Sequence, residues 1–388
     1  MLFRSVGLTS IPWREAWKYG ERAFRYCQHD VGHAIGALRL SAARLGWRLS
    51  LLPWPDDAIA SILGVDRVED FDGAEREDVD CLALVTAGAA EAIDLNLDTC
   101  VAAVGNAVWS GKANRLSPNH VEWPIIDEVA EATRFGGGTD SAGREGLCRI
   151  EQSHPLASSG ARLHGPRDLN DLKARSIILQ RRSALAFDPT AGLRRDVFFT
   201  MLNRLQPGAP PWDAIDWPPQ VHLALFVHRV EDIAPGLYVW LRDPAVLTHW
   251  RTAMRSEFLW ERFDDSHLYL LVPIDCRTAA RRLSCDQDIA ADGFFSLGMI
   301  ARFESALRER GESFYRRLFW ECGLIGQVLY LEAEAAGARA TGIGCFYDEP
   351  VHEVLGLTGQ EWQSLYHFSM GVPVEDGRLT SESGYSWD

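Results

Sequence analysis

Residues 20–48 read GERAFRYCQHDVGHAIGALRLSAARLGWR, and residues 311–339 read GESFYRRLFWECGLIGQVLYLEAEAAGAR. A constant offset of 291 (311 minus 20) lays the first stretch on the second. Gly20 meets Gly311, Glu21 meets Glu312, Arg25 meets Arg316 and Gly32 meets Gly323. Leu38, Leu40, Ala42, Gly46 and Arg48 then meet Leu329, Leu331, Ala333, Gly337 and Arg339, and after a one-residue gap Leu63-Gly64 falls on Leu355-Gly356. Identities at fixed spacing mark a duplicated unit, and two copies with so long a period make a duplicated domain rather than a solenoid.

The chain has 388 residues, enough for two ordinary domains, and 47% of them are hydrophobic, enough to fill their cores. Its formal net charge of −15 argues against nucleic-acid and anionic-membrane partners. No apolar run is long enough to span a bilayer. The opening MLFRSVGLTSIPW lacks the apolar core and cleavage site of a signal peptide. The eight cysteines stand singly with no CxxC pair, so the expectation is reduced, mostly buried thiols in a cytoplasmic protein.

The periodicity predicts one long helix over residues 13–45, a strand at WRLSLLP, a short helix from Pro55 to Gly64 and a buried strand over residues 81–85. Residues 110–167 turn polar and Gly-rich and read as a connector with some helix over 125–133. Further on, helices are expected at 169–180 and 193–205, strands at 221–227, 237–241 and 268–274, and helices at 294–308 and 314–336. Strands at 340–346 and 366–370 close the chain. Long helices around a sheet of few strands suggest an α+β fold. The expected organisation is an N-terminal half over 1–109, truncated or degenerate, the connector, and a C-terminal domain over 168–388.

The second half carries, in order, Arg181-Arg182-Ser183 with Phe187-Asp188, PGLY at 235–238, GLIGQVLYLEAEAAG, ATGIGCFYD followed by LGL, and MGVPVEDGRL. With WREAWKYGERAFRYCQHDVGHAIGAL in the first half, this order resembles the nitroreductase-like flavin family, in its tandem branch related to SagB-type azoline dehydrogenases. The resemblance implies a duplicated nitroreductase-like fold: an antiparallel-type sheet surrounded by helices, with the two copies forming an intrachain pseudo-dimer. It implies FMN as cofactor, its phosphate held by Arg181, Arg182, Ser183 and Arg378. Guanidinium groups and hydroxyls are the donors a phosphate needs. It also implies that the Gly342-Ile343-Gly344 backbone lies against the flavin ring, which a missing Cβ permits; a tight turn at a strand edge explains these glycines equally well. The substrate would be a small molecule, such as a quinone or nitroaromatic, or an azoline in a modified peptide. Further homo-oligomerisation stays open.

Several positions depart from the family pattern. Leu185 stands where a third base is common, Asp376 where a second phosphate-binding base is common, and NRLQPG at 203–208 replaces the family's Pro-Ser-x-x-Asn-Gln-Pro-like segment. Each departure removes a donor or adds repulsion toward a dianionic phosphate, so the expectation is weakened or lost FMN binding. The first copy begins opposite residues 294–298 of the second and has no counterpart of the phosphate segment. Either the true start lies upstream, or this copy survives as a fold partner that roofs a single flavin; the second alternative is favoured. Leu51-Leu52-Pro53 stands near its equivalent of the ring-facing segment, where proline removes a donor. The rival function is a degenerate family member that binds a peptide or partner without redox chemistry.

Other features have a bland reading beside the sharp one. His29 and His33 sit at i and i+4, but a zincin needs Glu and a third ligand, so helix packing is preferred and no metal is expected. Trp212, Trp217, Trp240, Trp250 and Trp260 either line an aromatic pocket or fill the core, and filling is commoner. Tyr238 and Tyr347 are candidate proton donors. Gly136-Gly137-Gly138 lacks the GK[ST] that a phosphate loop needs. No catalytic residue is assigned.

Overall fold

The computed structural model describes residues 3–87, 94–115, 121–137, 147–149 and 174–380. In chain order these form β1 (Phe3–Ser10), α1 (Trp13–Tyr19), α2 (Ala23–Arg44), β2 (Trp47–Leu51), α3 (Asp56–Leu63), β3 (Asp78–Ala87), β4 (Asp94–Asn96), α4 (Leu97–Gly105), α5 (Pro124–Ala132) and β5 (Leu147–Arg149). Then come α6 (Ala174–Gln180), α7 (Arg195–Asn203), β6 (Val221–Val227), β7 (Gly236–Trp240), α8 (Leu247–Ala253), β8 (Glu261–Arg262), β9 (Leu268–Val272), α9 (Arg277–Leu283) and α10 (Ile289–Asp292). The last run is β10 (Phe295–Arg302), α11 (Glu304–Arg310), α12 (Phe314–Ala335), β11 (Arg339–Ile343), α13 (Asp348–Leu355) and β12 (Trp362–Gly371).

The repeat seen in the residues is repeated in the backbone. Shifting α1 and α2 by 291 gives the bounds of α11 and α12, and shifting α3 by one residue more gives those of α13. The first copy's sheet runs β2-β3-β1, and the matching strands of the seven-stranded sheet run β11-β12-β10, from which the sheet continues through β6, β7, β9 and β8. Both ladders carry a register shift at the same place, between Leu8 and Thr9 and between Met299 and Ile300. Both short helices end on a left-handed glycine, Gly64 at φ 75° and Gly356 at φ 78°, where a side chain would be strained.

The copies join where α2 crosses α12. A Cβ on Gly32 would lie 2.2 Å from the Trp320 carbonyl oxygen, and one on Gly323 would lie 2.1 Å from that of His29. His29 and Trp320 are themselves equivalent positions, so the contact is reciprocal, as a pseudo-twofold axis requires. The ion pairs are reciprocal too. Arg316 reaches Asp56 at the start of α3 at 2.5 Å, and its equivalent Arg25 faces Asp348 at the start of α13 at 4.0 Å. Val31, Ile35, Leu49, Cys81 and Ala83 share one apolar core with β6, β10 and α12. This is a tandem α+β fold in which one core spans both copies.

Some expectations need correction. Residues 294–308 are not one helix but β10 followed by α11. Phe295, Leu297 and Met299 enter the main core and alternate with Ser296 and Gly298, a period of two that favours a strand. The helix over 13–45 is broken at Gly20–Arg22, a 3-10 turn. The expected helix at 169–180 is described only from Ala174, and Gly138 lies outside the described residues, as does much of the connector. Within the connector, α5 takes up the expected helical stretch.

Candidate functional site

Arg181-Arg182-Ser183 follows the end of α6 and runs alongside β11. Ser183 forms a parallel bridge with Ala340, and the Ala184 N–H donates to Thr341 Oγ1 at 3.0 Å while that hydroxyl donates to the Ala184 carbonyl at 2.8 Å. These bonds bring two sequence-distant segments to one point, the hydroxyl of Tyr330 on α12. Tyr330 Oη lies 2.9 Å from Ser183 Oγ and accepts the Gly342 N–H at 3.0 Å. The Arg181 guanidinium stands over the Tyr330 ring, 4.9 Å from its centroid. Arg181, Ser183 and Gly342 are thus gathered around one tyrosine, with Ile343 buried in the second core beside them. Arg182 turns back to donate to the Leu179 and Arg181 carbonyls. Arg378 is exposed and forks onto Asp376 at 2.7 Å; its recorded bonds are all to that residue. Leu185 is 72% exposed.

The first copy supplies a roof to this place. A Cβ on Gly344 would lie 2.0 Å from the Tyr26 ring of α2, and one on Gly342 would lie 2.0 Å from the Tyr366 hydroxyl of β12. His33 bridges the two copies: Nδ1 is 3.3 Å from Gln327 Oε1 and Nε2 is 3.5 Å from Tyr366 Oη. The His29 ring stacks on Tyr366 with centroids 4.1 Å apart, and Tyr26 stacks on Tyr19 at 4.1 Å. Burial drives both imidazoles toward neutrality, His29 to about 3 and His33 to about 4. Burial also raises Tyr26, and raises Tyr366 well above the usual phenol range. No group of three or more metal-holding side chains occurs among the described residues. Tyr26, Tyr330 and Tyr366 are contacts that sequence reasoning did not single out, and His33 was weighed there only as a metal ligand against helix packing. Tyr26, His29 and His33 share one helical face, which was the available signal.

Two expectations about reactive groups fail here. Cys345 directly follows Gly344 and is disulfide-bonded to Cys285, so the eight cysteines are not all free thiols. Singly spaced cysteines 60 residues apart leave no sequence trace of such a pairing. Cys27, Cys81, Cys276 and Cys322 are buried and free, as expected. Tyr238 is poorly placed as a proton donor: it is buried in the main core, donates to the Ala234 carbonyl at 2.8 Å, and burial pushes it up to about 12. Tyr347 is exposed. All five tryptophans first considered for a pocket are buried in the two large cores.

The equivalent place in the first copy is closed. Leu51, Leu52 and Pro53 meet Trp217, Arg317 and Trp320 there around a cavity of about 40 Å³, room for little more than a water. Arg317 and Trp320 occupy the positions that Tyr26 and His29 hold across the axis.

The residues gathered at Tyr330 have the donors a phosphate end of FMN needs in the Arg181 guanidinium, the Ser183 hydroxyl and the Gly342 amide, with Arg182 bonded to carbonyls on the same segment. At the ring end Tyr26 stands against Gly344 and Tyr366 against Gly342, so a ring fits there only once both tyrosines give way. Tyr26 is half-buried and held by Tyr19 and an edge contact with His29. Two aromatic pairs are worth about 2 kcal/mol together, less than two charge-assisted phosphate contacts contribute.

Residues 224–372 match the nitroreductase family. No curated protein matches the chain. Among solved structures, one described as a nitroreductase from Anabaena variabilis aligns over 95% of this chain and 69% of its own, with 19% identity and a TM-score of 0.65. A chain of the E. coli microcin synthetase McbBCD complex, with truncated pro-MccB17 bound, aligns over 64% of this chain and 87% of its own, at 18% identity and a TM-score of 0.38. The NADPH:FMN oxidoreductase of Vibrio harveyi aligns over 54% and 72%, at 13% identity and a TM-score of 0.33. The Anabaena alignment spans both copies of the repeat, so the chain has a nitroreductase-like fold in which the duplicated unit recurs, and its residues 224–372 match the nitroreductase family.

Proposed function

We propose that the chain is an FMN-dependent oxidoreductase with one flavin site, built by a C-terminal domain over 168–388 and roofed by an N-terminal half over 1–109, the two joined through 110–167. The observation that carries this reading is the meeting of Arg181, Ser183 and Gly342 at the Tyr330 hydroxyl beneath helix α2. Bound FMN would supply hydride transfer through its N5; the protein supplies the anchoring, the shape of the ring pocket and the exclusion of water. Arg181 and Ser183 would hold the phosphate, with Arg182 and Arg378 recruited when they leave their present carbonyl and carboxylate partners. Neutral His33 and the Tyr366 hydroxyl form the polar edge of the roof. The substrate class under this reading is a small electrophile such as a quinone or nitroaromatic, or an azoline ring in a modified peptide.

The test is spectroscopic and independent of substrate. Purified protein is incubated with FMN and desalted, and the flavin released on denaturation is measured per chain; the expected ratio is one. A single charge-assisted contact contributes about 1.5–3 kcal/mol, so Arg181→Ala is expected to weaken FMN binding by about tenfold or more. Unchanged retention in that variant removes Arg181 from the site, and a ratio near two refutes the closed first-copy site.

A second reading has its own support. Tyr366 and Tyr26 already fill the space that Gly342 and Gly344 leave, Leu185 projects into solvent and Asp376 neutralises Arg378. Under it the chain is a degenerate relative that binds a peptide or partner without redox chemistry. Colourless protein that FMN cannot reconstitute is its expected result.

A further inference from the structure

In the second copy, β10 is paired on both edges, by β12 on one side and β6 on the other. Its equivalent β1 pairs with β3 alone among the described residues. Arg4 and Ser5 are exposed there, and Val6 to Thr9 are half-buried. An unpaired edge presents a row of donors and acceptors that templates another strand. The β6–β10 pair also states how such a strand would lie. It is antiparallel and runs from Val221 opposite Ala301 to Val227 opposite Phe295. Shifted by 291, these positions are Ser10 and Arg4, so the amino end of an added strand would stand at Ser10.

A large cavity opens at that end of β1. It measures about 1140 Å³, and Ser10, Pro12, Gln28 and Asp80 lie in its wall. Seven acidic and four basic side chains line it. Arg316, Arg76 and Arg134 are already engaged by Asp56, Asp78 and Asp57, and Arg67 beside the cavity engages Glu69, which leaves Lys112 against Asp66, Asp72, Glu77 and Asp80. The strand edge fixes the direction of an occupant, and the cavity fixes the charge of its leading end.

We propose that the outer edge of β1 takes up an extended polypeptide segment as an added antiparallel strand, with a basic amino end lodged in the acidic cavity beyond Ser10. Main-chain bonds along β1 supply affinity, and the cavity supplies selectivity for lysine or arginine at the leading residues. A second copy of this chain is the weaker occupant, because two molecules of net charge −15 repel at long range. The proposal does not depend on flavin binding.

The experiment uses the full chain and three labelled peptides: Lys-Lys-Val-Thr-Val-Thr-Val-Thr, the same with two glutamates in place of the lysines, and the same with the lysines moved to the carboxyl end. Binding is read by fluorescence anisotropy and the contact by hydrogen exchange of residues 3–10. The lysine-first peptide is expected to bind at least roughly fivefold tighter than the other two, since several exposed charge pairs act together. It should slow exchange across β1. An exposed triple variant, D66N, E69Q and D72N, should bind the lysine-first peptide more weakly while its melting curve is unchanged. Equal binding of all three peptides, or tight binding without protection of residues 3–10, overturns the proposal. So does a dimer in sedimentation whose β1 is protected before any peptide is added, which would make the second copy the occupant.

Discussion

Replacing Gly32 with alanine tests whether the two copies are held together by backbone contact at the α2–α12 crossing. The new Cβ would sit 2.2 Å from the Trp320 carbonyl oxygen and 2.8 Å from the Trp320 Cα. A carbon and a carbonyl oxygen come no closer than about 3.3 Å without repulsion, so the helices must part locally by about 1 Å. The struck atom belongs to a helix backbone and cannot rotate away, and Leu318, Phe319 and Leu324 around it are fully buried. Overpacking of this kind costs about 1–3 kcal/mol, and the upper end applies where the obstacle is backbone. Alanine returns about 1 kcal/mol through its better helix propensity. The expected net loss is about 2 kcal/mol, read as a lower urea midpoint at unchanged slope. Gly323→Ala meets the His29 carbonyl oxygen at 2.1 Å and should lose a similar amount. The double variant should lose less than the sum, because one widened gap admits both methyl groups. If either single variant matched or exceeded the parent in stability, propensity alone would govern the site and the crossing would not be tight.

The reciprocal ion pairs should differ sharply in worth. Arg316→Ala leaves Asp56 buried without its partner and is expected to cost about 3 kcal/mol in urea unfolding, whereas Arg25→Ala, at a 40% exposed side chain, should cost under about 1 kcal/mol. Asp80 gives a pH test. Burial raises its carboxyl from 3.8 to about 6, so the folded state holds a proton that the unfolded chain has released. Stability should therefore fall as pH rises from about 4 to about 6 and level off above. Asp80→Asn keeps partners for Ser10 and Gln28 and should flatten that slope, by up to about 3 kcal/mol across the window; a parallel pH profile in the variant would mean that Asp80 titrates normally. At the candidate site, Gly344→Ala meets only the far end of the half-buried Tyr26 ring and should be nearly neutral in thermal unfolding. Gly342→Ala meets the hydroxyl of the buried Tyr366 and should be clearly destabilising; equal effects would show that Tyr26 is as fixed as Tyr366.

The duplication was legible because it is written in residues that the interface constrains. Gly32 and Gly323 must lack a Cβ, Arg25 and Arg316 each reach the acidic first turn of the other copy's short helix, and Gly64 and Gly356 must end that helix left-handed. Identity at these positions survives while the rest of the two helices diverges. The strand β10 is buried on both faces, and its period of two, Phe295, Leu297 and Met299 alternating with Ser296 and Gly298, is too short a signal beside the apolar Ile300-Ala301 and the helix that follows to have set it apart from one helix over 294–308. At the site, Arg181-Arg182-Ser183 and Gly342-Ile343-Gly344 were marked by motif order, but their meeting point was not, since Tyr330 lies twelve residues from Gly342 and on another element. The Cys285–Cys345 bond was hidden for the same reason: chain separation says nothing about sheet and helix ends that the fold returns to one place.

The asymmetry of the two interface sites follows from what each copy offers the other. Across the pseudo-twofold axis, Tyr26 and His33 of α2 cover β11, while Arg317 and Leu324 of α12 occupy the matching positions over β2. The first pair are polar rings that can turn or hydrogen-bond; His33 already reaches Gln327 and Tyr366. On the other side, Trp217 and Trp320 close against Leu51, Leu52 and Pro53 and leave about 40 Å³. The closed side also carries the stronger ties. Trp320 Nε1 donates to Gln28 at 2.7 Å, Gln28 donates to Asp80 at 2.8 Å, and Arg316 pairs with Asp56. The site under α2 is held instead by the His33 contacts of 3.3 Å and 3.5 Å to Gln327 and Tyr366 and by the half-buried Arg22–Asp348 ion pair. A duplicated interface can give up one of two equivalent sites to packing and keep the other adjustable, because the shared core needs only one side to be rigid. Ligand-dependent change in hydrogen exchange should accordingly appear along residues 22–33 and 341–346, and residues 51–56 and 316–320 should stay protected with or without FMN. Exchange that changed equally on both sides would show two open sites and undo this assignment of roles.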